Sequence, residues 1–154
     1  MNELEHLADT IRRSQEGDAW HGPSLSEILE SITAEQANRR IGKAHSIWEL
    51  TEHIIAWTDI VRRRTEGELL TDDNLRWEDN WPPAPEPTPE NWKHTVERAA
   101  ESNRRLWQRV LALQPEELDK AVLGKDYSMA VMLHGSAQHV LYHAGQIMLL
   151  TKLV

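Results

Sequence analysis

Cysteine is absent from the 154-residue chain, and so is phenylalanine. The first absence removes disulfides, thiolate metal ligands and a cysteine nucleophile together, so any metal must be held by His, Asp, Glu or water. The second leaves most aromatic packing to seven tryptophans, which read as core and loop anchors, each buried indole N–H requiring an acceptor. No run approaches the roughly 20 apolar residues that span a bilayer. The opening MNELEHLADT has neither a basic head nor an apolar stretch, so it does not read as a signal peptide and the expected compartment is the cytoplasm. Positive charge is also short, with 17 Lys and Arg against 25 Asp and Glu, a formal net charge of −8. That balance opposes a polyphosphate backbone, and neither nucleic acid nor a membrane is an expected partner. Arg62, Arg63 and Arg64 fall at the end of an expected helix, where cations complement the macrodipole, and read as a solvated helix end rather than an anion site.

Also missing are a G-x-S-x-G elbow, a Walker loop, a G-x-G-x-x-G turn and an H-E-x-x-H helix. A di-iron bundle needs paired Glu-x-x-His elements with further Glu ligands, and only Glu3 and His6, near a fraying terminus, have that spacing.

What is present is helical periodicity in a length that suits one domain, residues 1–154. Leu4, Leu7 and Ile11 mark a first helix between Asn2 and Glu16, stopped by Gly17. Ser24 with Glu27 forms a capping-box pattern before a short helix, Thr33 to Ala37 adds a turn, and Gly42 breaks the chain. A second long helix runs from Ser46, boxed with Glu49, to Gly67, its inner stripe drawn by Ile47, Leu50, Ile54, Trp57 and Val61 with His53 beside it. From Glu68 to Pro87 the pattern dissolves in a Pro-rich segment that excludes regular structure. Trp77 and Trp81 there predict a crossover anchored to its own bundle rather than a free linker, a second subunit being the other surface they suit. Thr88 and Pro89 open a third long helix to about Leu113, one face marked by Val96, Ala100, Asn103, Trp107 and Val110. Ser128 caps a fourth that continues to the end. Four long helices and no strand predict an all-α four-helix bundle, with the long crossover between the second and third.

The most informative segment is HVLYHAGQI, where His139 and His143 leave one helical face a turn apart. Eight His among 154 positions give roughly 0.4 such pairs by chance, so the pair needs support. Its stripe supplies some: Met132, Gly135, Ser136, His139, His143, Gln146 and Leu150 follow at steps of three or four, with small residues where a packed core would place Leu or Ile. His53 can face the same interior from the second helix. Three imidazoles would form a tripod with an open side, which suits catalysis better than the closed four-ligand sites of structural zinc. The same residues also fit interior or surface histidines with ordinary hydrogen-bond partners. Glu49, a turn before His53, suits either orienting that imidazole or capping its helix. His6, His21, His45, His94 and His134 have no comparable pairing.

In WHGPSLSEIL, HSIWELTEHIIAW and HVLYHAGQI the chain resembles the DinB/YfiT-like metalloenzymes, a bacterial group of four-helix-bundle proteins, over most of its length from Trp20 onward. The resemblance implies one divalent metal ion (zinc, nickel, iron or manganese) on His53, His139 and His143, and a homodimer formed through helix faces. It also implies a small-molecule substrate, a low-molecular-weight thiol in the thiol S-transferase members. Lewis-acid activation of a bound thiol or water is the expected chemistry. Thiol transfer is the first expectation. The alternatives are a metal-dependent hydrolase, which needs a carboxylate base near the metal, and a noncatalytic ligand-binding or dimeric interaction module. The expected cavity walls are Trp57, the short second segment and the crossover.

Overall fold

In a computed structural model describing residues 1–154, every regular element is helical. Reciprocal side-chain caps set most of the starts. Helix α1 (Glu3–Gln15) begins at Asn2, whose side chain accepts the Glu5 N–H while Glu5 accepts the Asn2 N–H. The same box opens α2 (Leu25–Glu30) at Ser24, α3 (Ala34–Asn38) at Thr33 and α4 (Ile47–Thr65) at Ser46. Glu49 accepts the Ser46 N–H at 2.8 Å and pairs with Arg40, so its carboxylate caps α4 and does not orient His53.

The crossover after α4 carries one helical turn, α5 (Trp77–Asn80), where no regular structure was expected. Asp79 accepts the Arg76 N–H at 2.9 Å and starts the turn, and Pro82 and Pro83 end it. Trp81 then stacks between two imidazoles, 3.8 Å from the His45 ring and 3.9 Å from the His53 ring, so the crossover is anchored to its own chain. Trp77 stays exposed, and so does Trp20, which therefore anchors nothing in the core.

Helix α6 (Pro89–Leu111) begins at Thr88 with proline in its first turn. It buries Trp92, Thr95, Ala99, Asn103, Leu106 and Val110; Asn103 and Val110 were expected there, whereas Val96, Ala100 and Trp107 are only partly covered, their places taken by Thr95, Ala99 and Leu106. Both stripes have helical spacing, and the one carrying Trp92 and Leu106 removes more apolar surface from water. Helix α7 (Met129–Leu150) starts at Ser128. The loop before it is pinned by Met129 and Ala130 N–H bonds to Lys120 and Leu118, and by an isolated bridge between Ala121 and Ser128. No helix is long and apolar enough to cross a membrane.

Helices α1 and α4 each pack against both α6 and α7, so the four long helices enclose a common interior with α1 diagonal to α4. Its apolar residues form two clusters. One gathers α2, α3, the start of α4 and the end of α7 around Trp48, Leu29 and Ile147; the other gathers α1, the end of α6 and the start of α7 around Leu7, Leu106 and Leu133. Along α7 the change falls between Ala137 and Val140, at the level of His139. A polar chain crosses from α4 to α6. The Trp48 indole donates to Thr95, Thr95 donates to the Glu52 carboxylate, and Arg98 closes on both Glu52 oxygens at 2.9 Å.

Candidate metal centre

Helix α7 carries two inward stripes. Leu133, Ala137, Val140, Ala144 and Ile147 fill the apolar core, while Met132, Ser136, His139 and His143 face α4 and the crossover. Leu50 and Ile54, four residues apart, are committed to the core, and His53 leaves α4 beside that stripe toward the second one on α7. The structure brings together the three histidines expected from the sequence and none of the other five. One ring nitrogen from each of His53, His139 and His143 lies within 4.8 Å of the other two.

The Nε2 atoms of His53 and His143 each stand 3.1 Å from His139 Nε2. Imidazoles sharing one ion at about 2.1 Å have nitrogens roughly 3.0–3.4 Å apart, so the spacing fits a common cation. Hydrogen bonds on the far side of two rings fix which nitrogen is bare. His53 Nδ1–H donates to the Asn80 carbonyl at 2.6 Å, and His143 Nδ1–H donates to Gln146 Oε1 at 2.7 Å. Both Nε2 atoms therefore present lone pairs to His139, which has at most one Nε2 hydrogen to offer and can satisfy only one of them. A cation among the three nitrogens satisfies all of them, and the donor set thus fits a divalent metal.

Burial pushes His53 and His139 down to about 4, with neighbouring imidazoles adding to the effect; the bond to Asn80 works the other way on His53. His143 is lowered by the same burial, opposed by Gln146. At neutral pH all three are uncharged, the form that ligates metal.

A cavity of about 490 Å³ opens beside His53 and His139. Trp57, Val61, Val131 and Met132 supply apolar wall, and Gly135 and Ser136 leave the room foreseen on the α7 stripe. The crossover contributes Asn80, and the loop before α7 contributes Tyr127. The short second segment is not part of the wall: α2 is spent in the apolar cluster around Trp48.

Asn80 was not visible as a functional residue in the sequence. Its carbonyl holds His53 and its side-chain oxygen accepts the Trp57 indole N–H at 2.5 Å. Arg64 corrects a second expectation. Arg62 and Arg63 pair with Asp59, Glu66 and Glu68 at the helix surface, but Arg64 is 3% exposed and lines the cavity. Its only sequence signal is its position, seven residues beyond Trp57 on the same face.

A family model described as the DinB superfamily matches residues 19–147, a span containing all three histidines. No curated protein and no solved structure matches the chain.

Proposed function

The chain belongs to the DinB superfamily, and from that membership and the histidine geometry we propose a metal-dependent enzyme that transfers a bound thiol to an electrophile. His53, His139 and His143 hold one divalent ion, and Asn80 and Gln146 keep the His53 and His143 rings in the ligating tautomer. The observation that carries this reading is the convergence of three Nε2 atoms with an open cavity beside them. A bound ion supplies Lewis acidity that favours the deprotonated form of a thiol or water. The thiol gives its proton to solvent, its sulfur bonds to the electrophilic atom, and the leaving group departs with the electron pair. Trp57, Val61 and Met132 limit the water around that exchange.

Hydrolysis at the same centre calls for a base to take a proton from water. The cavity wall includes no Asp or Glu, which favours the thiol. A noncatalytic role would be favoured by a fourth protein ligand or a plugged cavity. The cluster has three His, Cys, Asp or Glu members, Trp57 forms wall rather than plug, and the crossover's Trp81 stacks on His53 without lining the cavity.

The test is elemental analysis of untagged protein purified without a metal column, beside His53→Ala and His143→Ala. About one equivalent in the parent, lost in both variants, supports the centre and justifies pairing thiols with electrophiles. Metal absent after reconstitution, or kept equally by both variants, overturns it.

A further inference from the structure

The cavity wall holds a buried cation, Arg64, to which no carboxylate is hydrogen-bonded, Asp72 acting on it only through space. The nearby acids are engaged elsewhere: Asp59 and Glu66 with Arg62, Glu68 with Arg63, and Asp72 with Lys125 at 2.8 Å. The Arg64 guanidinium donates from Nε and Nη2 to the Leu70 carbonyl at 3.0 and 2.6 Å, and from Nη1 to the Tyr127 hydroxyl at 3.1 Å. Of its five N–H groups two are left over, one on each terminal nitrogen, and the Tyr127 hydroxyl keeps its own hydrogen. Burying a charge among neutral partners is costly, and an anion that accepts those hydrogens relieves the cost. The guanidinium lies 5.6 Å over the Trp57 ring, whose other neighbours are His139 at 5.9 Å and His53 at 6.4 Å. One indole therefore separates the cation from the imidazole cluster, and Arg64, Tyr127, Trp57, His53 and His139 line one cavity.

We propose that this cavity binds a small carboxylate-bearing ligand, its carboxylate held by Arg64 and Tyr127 and its opposite end reaching the histidine cluster on the side of His53 and His139. The proposal rests on reading those histidines as a metal centre. One guanidinium balances one carboxylate, whereas a phosphate dianion would keep excess charge among Trp57, Val61 and Val131. Those walls suit an apolar spacer between the two ends, and a volume of about 490 Å³ lies within the small-molecule range.

The experiment uses cobalt(II)-loaded full-length protein and thiol acids from mercaptoacetate to mercaptohexanoate, each beside the mercapto-alcohol of equal length. Calorimetry gives affinity, and the thiolate-to-cobalt absorption band reports sulfur at the metal. At the best chain length the acid is expected to bind about 10- to 100-fold tighter than its alcohol. Arg64→Gln should abolish that advantage and Tyr127→Phe should reduce it. Arg64 also ties the crossover to α4, so the decisive comparison is chain length in the parent: an acid advantage confined to the shortest acids, which can chelate cobalt through sulfur and carboxylate, overturns the Arg64 site, and one that peaks at a longer spacer supports it. A band with equal affinities for acid and alcohol overturns the carboxylate site and leaves the metal reading intact. An acid advantage without a band supports the carboxylate site and removes the thiol from the metal. Neither band nor advantage overturns the carboxylate site and removes the thiol from the metal.

Discussion

His143 is held by a side-chain amide and His53 by a backbone carbonyl, so the two imidazoles differ in how a mutation reaches them. Gln146→Ala removes the His143 acceptor outright and is expected to weaken metal binding about 10- to 100-fold, read by competition with a chromophoric chelator. Acid should act on the metal-free protein through His53 and His139. Their folded values near 4 lie below the ordinary 6.5, so between those limits the unfolded chain binds protons that the folded chain does not. The contribution of these groups to stability is complete above 6.5 and is lost as pH falls toward 4. Urea unfolding across that window should show a steeper loss for the parent than for His53→Ala/His139→Ala; parallel slopes would contradict the assignment. His139 and His143 were legible as a pair because helical spacing puts them on one face, and His53 through its place beside the α4 stripe and the family resemblance. Arg64 was not, since its burial depends on where Leu70 and Tyr127 come to lie, and no periodicity governs either segment.

Among the elements, the capped helices were the most legible, because Ser24 with Glu27 and Ser46 with Glu49 satisfy the first N–H groups locally whatever the packing. On α6, Asn103 and Val110 lie buried on the expected face while Thr95, Ala99 and Leu106 replace Val96, Ala100 and Trp107, since helical spacing alone does not choose between neighbours such as Leu106 and Trp107. What settles that face includes the polar chain from Trp48 through Thr95 to Glu52 and Arg98. Glu52 is 2% exposed, and Glu52→Ala leaves Thr95 without its acceptor and Arg98 without its partner. Arg98 can turn to water, so the expected loss is about 2–3 kcal/mol, a fall in Tm of roughly 5–10 °C by calorimetry. The loop before α7 has its own constraint at Gly124. Its φ is +77°, and an added Cβ would lie 2.6 Å from Leu69 Cδ1 and 2.8 Å from Thr71 Cγ2. Gly124→Ala should cost about 1–3 kcal/mol in chemical denaturation and loosen the start of the crossover from that loop.

For the molecule as a whole, the cluster joins α4 to α7 and, through the Asn80 carbonyl, both to the crossover. A ligand bound only by the folded form stabilises it, by about 4 kcal/mol at a thousand times Kd. Saturating divalent metal should therefore raise Tm by roughly 10 °C over chelator-treated protein, an effect absent in His139→Ala. The crossover is secured near both ends, by Arg64 on Leu70 and Lys125 on Asp72 early and by Trp81 between His45 and His53 late. Between them, Asp73, Asn74 and Arg76 lie exposed. A single peptide-bond cut after Arg76 would divide the chain into one fragment bearing His53 and another bearing His139 and His143. Neither fragment owns the tripod, so high-affinity metal retention after such a cut requires reassociation of the two halves, and the histidines become a built-in reporter of fragment complementation.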